Sequence, residues 1–300
     1  MNLLNGIRNG EVKPLSRAIT LVENELGNYK EILLNLSNTD KPLIGLTGPP
    51  GAGKSTLTDA LIAEMVADGK KVAVVCVDPS SPFNKGAVLG DRIRMSRWYD
   101  NSNVYIRSLA SRGSMGGLNS KIIEITDVIK ESDYDIIIVE TVGVGQSEIE
   151  IAGLADVTVV VLVPEAGDEI QTMKAGLMEI ADVFAVNKSD RPGADLFVRN
   201  LRFMLAPAFS KTDNEIRIVS TIAQKGNGVN ELYLAIKESL TLKKQNEKKA
   251  WLLAEKAYQL VQNNRMKDVH KQEIKNDIEK ALHNKNFNLY RFVNNQYFSG

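Results

Sequence analysis

The stretch Gly48-Pro49-Pro50-Gly51-Ala52-Gly53-Lys54-Ser55 constrains this chain more than any other. It follows an apolar run, Pro42 to Thr47, and opens a helical pattern that ends at Gly69, so the glycines lie where a strand turns into a helix. In that context the pattern G-x-x-x-x-G-K-[ST] lets backbone N–H groups curl around an anion while the helix directs its positive end toward it. Gly48 to Thr56 therefore read as a phosphate cradle, with Lys54 reaching the outer phosphates and the Ser55 hydroxyl a ligand for Mg²⁺.

A cradle of this kind needs a parallel sheet behind it, and the sequence supplies one. Apolar, β-branched runs at 42–47, 71–78, 104–110, 134–141, 156–163, 182–187 and 216–221 alternate with helical patterns. Several are nearly continuous in apolar residues, as strands covered on both faces are. The expected fold is α/β, a doubly wound, mostly parallel sheet over residues 41–240. A helical extension is expected over 1–40, with Leu15, Ile19 and Leu26 toward the core, and a helical arm over 241–300. In the domain, the helix over 193–207 is expected to close at Pro207. The arm lacks glycine until its last residue and carries an apolar stripe that includes Trp251, Leu252, Tyr258, Leu260, Met266, Ile274, Ile278 and Leu282. Such a stripe either packs back on the domain or joins two copies.

Net charge is zero over 300 residues, so no overall field favours nucleic acid or an anionic membrane. No run approaches the length of a membrane span and the N-terminus lacks the apolar core of a secretory signal, so the chain reads as cytoplasmic. The single cysteine, Cys76, lies in an apolar run and reads as a buried hydrophobe.

Further segments supply chemistry at strand ends. Glu140 closes the run at 134–141 and Gly143 follows, a carboxylate for the metal and a glycine for the γ-phosphate. Asp78 ends the preceding strand and Asp91 follows it, both candidate ligands of Mg²⁺ or its water. Asn187-Lys188-Ser189-Asp190 spells N-K-x-D, in which a carboxylate accepts two hydrogen bonds from guanine; adenine presents the wrong pattern. GTP is thus expected over ATP, with Thr221, Ile222 and Ala223 nearest the base. Lys54, Asp91 and Glu140 are the expected catalytic residues.

Taken in order, "GPPGAGKST", "DPSS", "GDRIRM", "SRGSMGGL", "ETVGVGQSE", "AGDEIQTMKAG" and "NKSD" resemble the accessory GTPases of adenosylcobalamin-dependent methylmalonyl-CoA mutase, the ArgK type of the SIMIBI class. The resemblance covers about residues 40–240. It implies a GTPase that uses GTP/GDP and Mg²⁺, gates adenosylcobalamin loading of an acyl-CoA mutase and protects that mutase. It also implies a homodimer joined through the C-terminal helices. Pro164 to Gly176 resembles an extra switch facing the mutase, and Glu165 stands where many members have glycine.

Val144 follows Gly143 where Ras-type GTPases place a glutamine, so turnover is expected to be slow alone and stimulated by the partner. Gln146, Arg92, Arg94, Arg107 and Arg112 are candidates to complete the site, and Asp168 lies in a segment the partner would reorder. Three rival readings are a metallochaperone GTPase, an ATP-using P-loop kinase and a non-catalytic GTP-binding regulator. The first needs soft or imidazole ligands, and the chain offers only Cys76, His270 and His283; N-K-x-D speaks against the second.

Overall fold

A computed structural model describes residues 3–37, 39–78, 95–110, 119–141, 147–166, 180–209, 216–242, 247–266, 268–283 and 287–298. Seven strands, β1 (Leu43–Thr47), β2 (Val72–Asp78), β3 (Val104–Ala110), β4 (Ile136–Glu140), β5 (Val157–Leu162), β6 (Val183–Val186) and β7 (Arg217–Ser220), form one sheet in the order β3-β2-β4-β1-β5-β6-β7. Every neighbouring pair is parallel. Each expected run became a strand.

Burial on both faces explains the apolar continuity of these runs. Along β2, Val72, Val74 and Cys76 enter one core while Ala73, Val75 and Val77 enter another on the opposite face. In β4, Ile136 and Ile138 face the first core and Ile137 and Val139 the second, so Glu140 continues on the first face. That face is covered by α4 (Lys54–Ala67) and α8 (Val229–Thr241). Cys76 is buried, as a small hydrophobe would be.

The opposite face is covered by α1 (Leu3–Arg8), α2 (Val12–Glu23), α3 (Tyr29–Leu34), α5 (Ile122–Lys130) and α6 (Ser147–Leu154). Leu15 and Ile19 are buried in this core, so the N-terminal helices share the hydrophobic interior of the sheet. Leu26, expected to join them, is 54% exposed. The reason is local: α2 stops at Glu23, Glu25 takes a left-handed φ of 53°, and the Leu26 N–H folds back onto the Leu21 carbonyl at 2.9 Å. Buried Glu131 fastens this layer, accepting from Arg8 Nε at 2.7 Å and from the Ser37 N–H.

A third cluster forms where α7 (Ala194–Phe209) packs Phe197, Leu201 and Leu205 on Val160, Leu162, Phe184 and Val186. The helix runs two residues past Pro207, correcting the expected end there. In the last turn a proline removes one helical hydrogen bond without breaking a helix that is held by its packed face.

The chain divides into two compact units, Met1–Asn246 and Glu247–Gly300, the division falling six residues beyond the compositional change at 240. The second unit contains α9 (Glu247–Arg265), α10 (Lys271–Ala281) and α11 (Leu289–Val293). Among its described residues none is buried, and Trp251, Leu253, Tyr258, Leu260, Val261 and Met266 are exposed. No helix among the described residues is long and apolar enough to cross a membrane.

Candidate nucleotide site

β1 is the central strand, with β2 to β4 on one side of it and β5 to β7 on the other, so the direction in which strands are added reverses there. In open α/β sheets the crevice at the carboxyl ends of such strands is where ligands bind. Gly48 leaves β1 at this point with φ 138°, and a Cβ there would lie 2.0 Å from the Val161 carbonyl oxygen, so only glycine lets the loop pass β5 so closely. The loop ends at Gly53, in the left-handed region at φ 87°, and α4 begins at Lys54.

Lys54 and Ser55 are both buried at the start of α4. The Lys54 ammonium donates to the carbonyls of Gly48 at 2.8 Å and Pro49 at 3.0 Å, so the loop curls around its cation. Ser55 donates its hydroxyl to Glu140 Oε1 at 2.6 Å, and the Thr58 hydroxyl lies 2.9 Å from Glu140 Oε2 and 3.0 Å from the Lys54 carbonyl oxygen. Glu140 is 4% exposed, so its charge is held by short hydroxyl contacts where water has little access. Behind it Thr141 donates to Thr47 at 2.9 Å, locking the ends of β4 and β1 together. Thr58 was not anticipated, although its position one turn after Lys54, beside a strand ending in a carboxylate, carried the signal.

β2 ends at Asp78, two residues beyond Cys76, whose register partner is Glu140. The backbone of Asp78 thus reaches the same sheet edge one strand away. Asp91, Gly143, Val144, Gln146, Asp168, Arg92, Arg94 and Arg112 lie outside the described residues. Arg107 does not join this constellation: in mid-β3 it pairs with Glu23 of α2 at 2.8 Å. Among the described residues no three His, Cys, Asp or Glu gather as a metal cluster.

The second half of the site is built on the ends of β6 and β7. Asn187 is 2% exposed and bridges three segments: its Nδ2 donates to the Ala52 carbonyl at 2.9 Å, and its Oδ1 accepts from the Ala223 N–H at 3.1 Å and the Thr221 hydroxyl at 3.3 Å. A Cβ at Gly53 would stand 2.5 Å from that Nδ2, so the last glycine of the cradle also makes room for the brace. Lys188 adopts a left-handed φ of 57° and its ammonium donates to the Gly51 carbonyl at 2.7 Å. Asp190 is exposed and pairs with Lys225 at 3.3 Å.

The N–H groups of Thr221, Ile222 and Ala223 are bound to Val186, Asn227 and Asn187. The Gln224 N–H is the first in the loop with no partner among the described residues. Next to Asp190, Arg191 pairs with Glu165 in the turn after β5, and its guanidinium holds the Glu165 carboxyl below the usual carboxylate range. Neither Lys225 nor this second pair was foreseen, because both join segments far apart in sequence.

A candidate GTPase of Pyrococcus horikoshii is 45% identical over 241 residues, covering 79% of this chain and 76% of that protein. The mouse protein named methylmalonic aciduria type A homolog, mitochondrial, is 34% identical over 294 residues, covering 87% of this chain and 69% of its own length. The crystal structure of an LAO/AO transport system kinase superposes with a TM-score of 0.65 at 26% identity, over 94% of this chain and 86% of that one. The family described as methylmalonyl-CoA mutase-associated GTPase MeaB matches residues 15–278, and this chain is a member of it, a SIMIBI-class P-loop GTPase.

Proposed function

We propose that the protein hydrolyses GTP with Mg²⁺ and serves as an accessory protein to an adenosylcobalamin-dependent acyl-CoA mutase, with methylmalonyl-CoA mutase the first partner to test. The observation that carries the nucleotide part is Asn187. One buried amide ties the turn at Ala52 to the loop at Ala223, which supports reading the N-K-x-D segment and the cradle as parts of one site. The partner part rests on the family's own description.

In this reading Gly48, Pro49, Pro50, Gly51, Ala52, Gly53 and Thr56 surround the phosphates with backbone donors, and Lys54 exchanges the Gly48 and Pro49 carbonyls for phosphate oxygens. Ser55 and Glu140 supply the hard oxygen set that suits Mg²⁺, with Asp78 and Asp91 as further carboxylates and Gly143 beside the γ-phosphate. Bound there, Mg²⁺ neutralises charge developing on the phosphates. At the other end Asp190 leaves Lys225 to accept from guanine, Gln224 offers its N–H to the base oxygen, and Thr221, Ile222 and Ala223 hold the loop beneath it. Lys188 lays its stem along the ring.

The exposed apolar residues of α9 are the proposed contact of a homodimer, as the resemblance implies. Arms of this kind bury area between copies that a single chain leaves in water. The deciding experiment is GTP turnover by the purified protein with and without methylmalonyl-CoA mutase, ATP serving as the base control. The expected result is a slow, GTP-selective rate that rises with the mutase; full turnover alone with no response to the mutase contradicts the accessory role.

A further inference from the structure

Two hydroxyls of α4 reach Glu140, and the proposed chemistry uses only the one on Ser55. The other belongs to Thr58, three residues further on and therefore on the same face of the helix. Thr58 is buried, and its hydroxyl oxygen lies 2.9 Å from Glu140 Oε2 and 3.0 Å from the Lys54 carbonyl oxygen. A hydroxyl has one proton to share between these two acceptors. The Lys54 carbonyl, four residues earlier in the helix, has the Thr58 N–H as its regular partner. Glu140 is a carboxylate in a buried position, the stronger acceptor and the costlier one to leave short of donors, so the proton goes to it.

The result is a two-point grip: Ser55 holds Oε1 at 2.6 Å and Thr58 holds Oε2 at 2.9 Å, which fixes the plane of the carboxylate from a single helix face. Ile138, the preceding residue on this face of β4, and Leu57 and Leu61 of α4 belong to the apolar core, so the grip stands at the boundary between core and site. We infer that Thr58 is a positioning residue of the GTPase site: by holding Oε2 it keeps Oε1 on the Ser55 hydroxyl and so aims the Ser55 oxygen at the Mg²⁺ position. A hydroxyl that gives its proton to a carboxylate can still coordinate a cation through its oxygen, and the contact makes that oxygen a better ligand. Thr58 itself touches neither phosphate nor metal in this scheme. The inference rests on the proposed GTP and Mg²⁺ chemistry, which the hard oxygens of Ser55 and Glu140 suit.

The test is made on the full-length chain with three variants. Thr58→Val keeps the shape and removes the donor, Thr58→Ala removes it with the best helix former, and Thr58→Ser restores it. The readouts are the Mn²⁺ affinity of the GDP-bound chain by electron paramagnetic resonance, the affinity for a fluorescent GDP analogue in EDTA, and kcat and KM for GTP. In Thr58→Val and Thr58→Ala the Mn²⁺ dissociation constant is expected to rise roughly 10-fold and kcat to fall by a similar factor, with metal-free GDP affinity unchanged. Thr58→Ser is expected to recover most of the loss. Wild-type Mn²⁺ affinity in the donor-free variants overturns the inference. So does an equal loss of metal-free GDP affinity, or a Thr58→Ser variant no better than Thr58→Ala, since either marks a packing contact. Thr58→Ala decides the matter if Thr58→Val does not fold. A wild-type chain without GDP binding or Mg²⁺-dependent GTP turnover overturns the GTPase reading and the inference with it, an outcome told apart because the unaltered chain already fails.

Discussion

Glu140 and Asp190 stand on the same edge of the sheet, yet the first is buried and held by two hydroxyls while the side chain of the second is 44% exposed and faces one lysine. The phosphate end is closed around its cation by the contacts among Lys54, Ser55, Thr58 and Glu140. Groups fixed in this way need little rearrangement as charge develops, which is where electrostatic catalysis gains most. The base end must admit a planar ring from solvent, and its charges are screened there. In the proposed function, discrimination at that end rests on hydrogen-bond geometry. Asn187 shares the character of both, buried like the first and located in the second.

Substitutions can break this contrast at each end. Lys54→Ala removes the cation that the cradle is wrapped around, and single-turnover GTP hydrolysis is expected to fall by at least about 10²–10³-fold. Asn187→Ala leaves the Ala52 carbonyl and the Ala223 N–H without their buried partner. A stability loss of about 2 kcal/mol in chemical denaturation is expected, together with weaker binding of both GDP and GTP. If only one end weakened, the two halves would not be a single braced unit.

Asp190→Asn acts on the base end alone. Its amide cannot accept both guanine donors, so GTP affinity should drop roughly 10- to 100-fold while XTP gains, as a competition assay would read. An equal loss for both nucleotides would mean that the loop, rather than the carboxylate, had been disturbed. The smallest effect is expected from Glu165→Gln, because the Arg191 pair is exposed on both sides and such pairs contribute little to stability. Its folded carboxyl lies below its ordinary value, so whatever the pair contributes is present above the ordinary carboxylate range and lost as the pH falls through the lowered one. A thermal melt of wild type and variant across that acidic window should show the two curves converging.

The motifs that marked this site are short and local, which is why they could be read directly. A glycine-rich turn between strand and helix, a carboxylate at a strand end and an N-K-x-D segment each state their chemistry within about ten residues. The five inner strands were legible for a related reason: strands covered on both faces must be apolar almost throughout. Leu26 and Pro207 misled because the deciding interactions lay outside the pattern, in a left-handed residue at Glu25 and in the packed face of α7.

Local sequence by itself therefore determined the sheet, the glycine-rich turn and the N-K-x-D tetrad, since each depends on neighbouring residues, and the turn on backbone geometry that glycine alone permits. Only the tertiary structure brought Thr58 to Glu140, Asn187 to Ala52, Lys225 to Asp190 and Arg97 to Asp59. These partners are 35 to 135 residues apart, in pairs that no spacing rule links. Strand order set by hydrophobic burial, rather than any local preference, makes them neighbours.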